Sequence, residues 1–370
     1  MSGPIFVLGI ARGGTNLTAR VAASLSDSQV VLDALLPAFA LWRDSIEVAQ
    51  GVRASVQGRP IDDYYFDRRK QALLEHILFT ECDRSIGSVE VQRVKLAMAS
   101  RAALEAQEVR FCGETTSFAR LIDSVVVNQS KNRNRVFKDV WAIEFLAPLL
   151  RIFSGSRGII VVRDPRDIVA SYVGMNPDSL PHLLSLLRQW RKTAELCLSS
   201  KHDESPLRKT FVVRYEDLCR EPDGWAEKIS DYLFDDPSGG AVRPPNRVKQ
   251  WDWAGNSSFG KLPGRPVPSS IGRWTSVLSR EMLTVIEMAC GPEMERLGYP
   301  RSATGSVSLS AGLVHNLRSG GRSGYWRSSR RRRALDAVLE VLRAAANRSE
   351  FSASRSGRRF GRLLREPQFT

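Results

Sequence analysis

The sequence predicts an α/β protein, a parallel sheet flanked by helices on both faces, and three observations carry that expectation. An apolar run, Ile5–Leu8, enters a glycine turn and leaves it as a helix starting near Thr15. A second run, Gly158–Val162, is apolar throughout and bounded by glycine and charge, as suits a strand buried on both faces. Further short apolar runs alternate with helical patterns along the chain, the order that builds parallel sheets.

Taken in order, the first strand is Ile5–Leu8 and the first helix Thr15–Leu25. Leu35–Arg84 reads as mostly helical, with a polar break at Gln57–Pro60. Val109–Cys112 and Arg135–Lys138 read as short strands, the second followed by a helix over Trp141–Phe153. After Gly158–Val162 come a helix over Ile168–Val173, an amphipathic helix over Leu183–Leu198, a strand over Thr210–Val213 and a helix over Gly224–Leu233. Pro237–Pro268 is rich in Gly, Pro, Asn and Ser, a long irregular stretch of the kind that carries function. Arg280–Arg296 is a helix stopped by Gly298 and Pro300. One domain is therefore expected over residues 1–301. Residues 302–370 form a basic tail: a Ser/Gly/Arg-rich linker, an amphipathic helix over Arg330–Ala346 and a disordered end.

Composition bounds the function class. The chain has 370 residues, 42% hydrophobic and 25% charged, enough for a sizeable core. Of the net charge of +14, +10 comes from Val307–Thr370, where fourteen arginines face four acids. That separates a mildly basic body from a tail suited to an anionic polymer or an anionic membrane surface. No run reaches the ~20 apolar residues of a membrane span; the nearest, Val30–Trp42, is interrupted by Asp33 and Pro37. The first strand begins at Pro4 with no charged segment before it, so neither a signal peptide nor an anchor is expected. Five cysteines at long spacings show no zinc pattern and read as buried thiols in a reducing cytoplasm.

The chemistry concentrates in Gly9–Asn16. A strand, a glycine turn and a helix start bring free backbone N–H groups and the positive end of a helix dipole to one spot, which makes an anion site. Set against the nucleotide-triphosphate loop G-x-x-x-x-G-K-[ST], Gly9 and Gly14 hold the correct spacing. Thr15 stands in the lysine place and Asn16 in the place of the magnesium hydroxyl, while Arg12 puts a cation inside the loop. A phosphate without a metal and without a triphosphate tail fits these residues. A second anion site is expected at Arg163, delivered by the buried strand to its C-terminal end, with Ser171 on the following helix. The plainer alternative pairs Arg163 with Asp164 or Asp167.

Two anion sites at strand ends with no metal residues resemble the sulfotransferases that use 3′-phosphoadenosine 5′-phosphosulfate (PAPS), in their carbohydrate and tyrosylprotein branch. Arg12-Gly13-Gly14-Thr15-Asn16 resembles their 5′-phosphosulfate loop, and Arg163 with Ser171 their 3′-phosphate site. Val213–Leu218 is similar to the family's R-Y-E-D-L segment, whose tyrosine, here Tyr215, lies near the adenosine. Ser269–Trp274, with Ser270, Gly272 and Arg273, resembles the late loop that closes on the nucleotide. Arg135–Trp141 resembles the segment that carries a lysine in the tyrosylprotein enzymes, here Lys138. The resemblance covers Pro4–Tyr299 and implies a PAPS-dependent enzyme.

Sulfuryl transfer needs in-line attack and fixed cations near the reacting group, and Arg12 and Lys138 are the candidates. The plainer reading of Lys138 is a solvated lysine or one paired with Asp139. The acceptor hydroxyl needs a general base. Cytosolic members use a histidine two places after the lysine, where this chain has Val140. Other members use a carboxylate just after the first helix, which points to Asp33; Glu114 is the rival and His76 a third candidate. The expected acceptor bears a hydroxyl: a carbohydrate, a glycolipid, or another alcohol or phenol. Two other classes stay in view, a small-molecule kinase using the same loop and a polyanion binder acting through the tail.

Overall fold

A computed structural model of the chain describes residues 3–33, 35, 39, 85–86, 116–117, 122, 126, 135–140, 143–175, 183–201, 205, 207–235 and 268–302. These fall into two compact units. The first holds the described residues up to Arg163 and from Leu196 to Ile271; the second holds those from Asp164 to Glu195 and from Gly272 onward.

The first unit is built on a five-stranded sheet in the order β2-β5-β1-β6-β7. Its strands are β1 (Ile5–Gly9), β2 (Gln29–Leu32), β5 (Arg135–Val140), β6 (Arg157–Val162) and β7 (Phe211–Arg214). All four pairings are parallel, with Gly9 opposite both Val140 and Val161, Leu32 opposite Lys138, and Val162 opposite Arg214. Two short strands, β3 (Ser85–Ile86) and β4 (Thr116–Ser117), pair separately and antiparallel.

The central strands are apolar on both sides because both sides are covered. On one face Ile5, Val7, Val136, Ile159, Val161 and Val213 pack with helix α1 (Thr15–Leu25) and with Ala226, Ile229 and Leu233 of the helix Pro222–Phe234. On the other, Phe6 meets Phe137 and Phe153 at ring separations of 5.8 and 5.7 Å. Gly158 gives room there: a Cβ on it would lie 3.1 Å from Leu146 of the helix Leu146–Ile152. The parallel sheet with helices on both faces is as the sequence predicts.

The differences lie at edges and boundaries. Gln29–Leu32 is a strand that the apolar pattern hid, because it is an edge strand, exposed at both its ends. Trp141–Phe153 is not one helix: a 3₁₀ turn at Ile143–Phe145 precedes Leu146–Ile152. A further short helix, Tyr215–Arg220, follows β7 directly. The expected strand Val109–Cys112 and the tail beyond Ser302 lie outside the described residues.

The second unit contains the helices Pro165–Met175, Trp274–Val277 and Arg280–Arg296, and residues from Leu183 of the helix Leu183–Ser199. Its charged groups are organised around Arg166, which is 3% exposed. The Arg166 guanidinium binds Asp164 at 2.7 Å and Glu287 at 3.0 Å and lies 4.1 Å above the Trp274 ring. Glu287 Oε1 also accepts from the backbone N–H and the hydroxyl of Ser302, at 2.8 and 2.7 Å.

Candidate active site

In an open parallel sheet, ligands bind beyond the carboxyl ends of the strands. Within the first unit Arg12 follows β1, Asp33 follows β2, Lys138 lies near the end of β5, Arg163 follows β6 and Tyr215 follows β7. The sequence-predicted groups of this unit therefore share one edge of the sheet.

The loop after β1 takes a left-handed course. Arg12 has φ 67° although it is not glycine, and Gly14 has φ 95°. Gly14 is the N-cap of α1 and offers no side chain, so nothing of its own covers the helix's first N–H groups. The Gly13 N–H donates to the Ile10 carbonyl at 3.0 Å and closes the turn. Thr15 is buried and Asn16 exposed.

Gly14 is demanded twice. Its φ favours glycine, and a Cβ there would lie 2.2 Å from Cδ2 of Tyr215. The Tyr215 hydroxyl sits 2.8 Å from the Ser270 hydroxyl. Burial pushes the Tyr215 phenol up to about 12, against the opposing pull of the Arg163 guanidinium, so it is neutral at physiological pH. Arg163 is buried, donates to the Arg12 carbonyl at 3.1 Å and the Ser270 carbonyl at 2.8 Å, and lies 4.3 Å over the Tyr215 ring.

Asp33 and Lys138 are brought together. The Lys138 ammonium reaches both carboxylate oxygens of Asp33, at 3.0 and 3.1 Å. The Val140 N–H donates to the same carboxylate at 3.3 Å, and the Asp33 N–H donates to the Lys138 carbonyl at 2.7 Å. The parallel register that sets Leu32 opposite Lys138 causes this meeting. Asp33 has φ 50° and follows the end of the edge strand. The Lys138 side chain is 7% exposed and that of Asp33 35%, so the lysine is enclosed while the carboxylate is reachable.

Ser171, Gly272 and Arg273 belong to the second unit. Ser171 is buried on the helix Pro165–Met175. Gly272 has φ 74° and opens the turn into Trp274. Asp167 holds that turn, accepting from the N–H groups of Gly272 at 2.8 Å and Trp274 at 3.1 Å. Its neighbour Asp164 is bound by Arg166. The usable signal is the acid Asp167 four places after a strand-end arginine, though nothing local shows which main-chain groups it meets. Glu114 and His76 lie outside the described residues. Among the described residues no group of three or more His, Cys, Asp or Glu is placed to hold a metal ion.

Fold and site together define an α/β protein with a glycine turn between its first strand and first helix and a lysine–carboxylate pair at a strand end. The profile described as the Sulfotransferase family matches residues 4–234, and the chain belongs to that family. It is accordingly a transferase of sulfuryl groups. Among solved structures it is similar to the sulfotransferase domain from the Synechococcus PCC 7002 olefin synthase, at 15% identity and a TM-score of 0.39, over 75% of this chain and 88% of that one. No curated protein matches the chain. No helix of the described residues is long and apolar enough to cross a membrane.

Proposed function

We propose that the protein moves a sulfuryl group from PAPS to a hydroxyl of a carbohydrate, a glycolipid, or another alcohol or phenol. The observation that carries this reading is the meeting of Asp33 with Lys138 in the unit that also holds the anion loop. A base and a cation are the two groups that sulfuryl transfer asks of a protein without a metal.

In this reading the loop Arg12–Asn16 and the start of α1 take the phosphosulfate end of the donor. Asp33 accepts the acceptor's proton as its oxygen attacks sulfur in line. The O–S bond to the acceptor forms while the S–O bond to the phosphate breaks, and 3′-phosphoadenosine 5′-phosphate leaves. Negative charge grows on the bridging oxygen, where Lys138 and Arg12 supply compensation. Glu114 stays the second candidate for the base. Tyr215, Ser270, Arg163, Ser171, Gly272 and Arg273 are carried into the proposal as nucleotide contacts on the strength of the resemblance.

Two further parts belong to the same proposal. A reducing cytoplasmic setting is supported by Cys197, Cys219 and Cys290, which are buried thiols. An anionic polymer or membrane partner for the tail is supported by its fourteen arginines.

Calorimetry tests the donor. The product nucleotide, 3′-phosphoadenosine 5′-phosphate, is expected to bind roughly ten- to a hundredfold tighter than adenosine 5′-phosphate, the value of one charge-assisted contact. Equal affinities remove the 3′-phosphate assignment. Labelled PAPS with a panel of sugars, lipids and phenols then identifies the acceptor, and transfer to none of them counts against the activity.

A further inference from the structure

The guanidinium of Arg163 is engaged with the protein's own main chain. Nη1 donates to the carbonyl of Arg12 and Nη2 to the carbonyl of Ser270, at 3.1 and 2.8 Å. Its flat face covers the Tyr215 ring, and that ring lies against Gly14. The Tyr215 hydroxyl closes the set by meeting the Ser270 hydroxyl. One buried cation thus fixes Arg12 by a hydrogen bond and backs Gly14 through an aromatic ring. Those are the two residues of the loop with left-handed backbone.

Such a backbone at a non-glycine residue is unfavourable and persists only where its surroundings hold it. The carbonyl of Arg12 is therefore the place where a strut is needed. A planar fork of donors serves two carbonyls and stacks on a ring at once; a lysine ammonium cannot do all three.

We propose that Arg163 is a positioning residue for the anion loop, holding the Arg12–Gly14 turn in the shape that aims its N–H groups at the 5′ end of the donor. The proposal rests on the donor reading above and deepens it. A residue that only touches the 3′-phosphate affects ligands that carry that group and no others. A strut affects every ligand that uses the loop.

The test compares the full chain with Arg163→Lys, using two probes in calorimetry: 3′-phosphoadenosine 5′-phosphate, and adenosine 5′-phosphosulfate, which lacks the 3′-phosphate. Arg163→Lys is expected to weaken both, the phosphosulfate by about tenfold. Amide hydrogen exchange without nucleotide supplies a readout independent of any contact to it, and the N–H of Gly13 is expected to exchange at least several-fold faster in the variant. Phosphosulfate affinity within twofold of the parent, or unchanged exchange at Gly13, overturns the proposal. Should Arg163→Lys fail to fold, Arg163→Gln, which keeps a donor without the charge, carries the same two measurements. If the unmodified chain binds neither probe, the donor reading fails, and the exchange result still decides whether Arg163 braces the loop.

Discussion

The ammonium of Lys138 lies 3.0 and 3.1 Å from the two carboxylate oxygens of Asp33, across 105 positions of sequence. A buried cation thereby finds a partner, and a candidate base is held at a fixed place beside it. Removing either group leaves the other without its main compensation, and for the enclosed lysine that loss is the costlier.

Asp33→Asn keeps the shape and removes the basicity. Turnover is expected to fall by about a hundredfold or more, with affinity for 3′-phosphoadenosine 5′-phosphate near that of the parent. Glu114→Gln is the matched control. Full activity in Asp33→Asn together with a collapse in Glu114→Gln would hand the role to Glu114; full activity in both would move attention to His76.

Turnover is expected to survive EDTA. Thr15 and Asn16 occupy the places where a triphosphate loop has its lysine and its magnesium hydroxyl. Activity abolished by the chelator and restored by added magnesium would revive the kinase alternative.

Gly14→Ala places a methyl group into the Tyr215 ring at a backbone angle unfavourable for alanine. The backbone alone accounts for about 1–3 kcal/mol, and the collision adds to it. A fall of several degrees in Tm and loss of nucleotide binding are expected. An alanine variant that melts and binds like the parent would show that the turn tolerates another course.

Asp167→Asn retains one acceptor for two main-chain N–H groups. Faster amide exchange at Gly272 and Trp274 is expected, with nucleotide affinity weakened by up to about tenfold. Exchange unchanged at both positions would mean that other contacts hold the turn.

Alkaline pH should reveal the buried phenols. Tyr215 and Tyr232 are both pushed up to about 12 by burial, from an ordinary value near 10. Below that ordinary value both phenols are neutral, folded or unfolded, and their contribution is complete. As pH rises from about 10 towards 12 the unfolded chain ionises first, so stability falls. Urea unfolding across that window should show a shallower decline for Tyr215→Phe than for the parent, and an equal slope would argue against a buried neutral phenol.

What the sequence disclosed follows from range. Ile5–Gly9 and Arg157–Val162 were legible because burial on both faces leaves uninterrupted apolar runs. Gln29–Leu32 was not, since an edge strand with exposed ends carries a weaker pattern. Arg12, Asp33, Lys138, Arg163 and Tyr215 could each be picked singly, because a strand end is a local feature. Their partners could not. The sequence offers Lys138 its neighbour Asp139 as a partner, whereas the register of β2 on β5 delivers Asp33. The carboxylate of Asp167 also serves main-chain N–H groups about a hundred residues downstream, which no local pattern announces.

Ser302 gives the organisation of the second unit a practical edge. The sequence pattern puts a boundary between residues 301 and 302, yet Ser302 supplies two of the hydrogen bonds that converge on Glu287 Oε1, the oxygen that also meets Arg166. Where a shortened chain is cut therefore matters to a single residue. Ending at Ser302 keeps that oxygen saturated; ending at Arg301 leaves Arg166 as its one remaining partner among these, and loosens the cation that lies over Trp274.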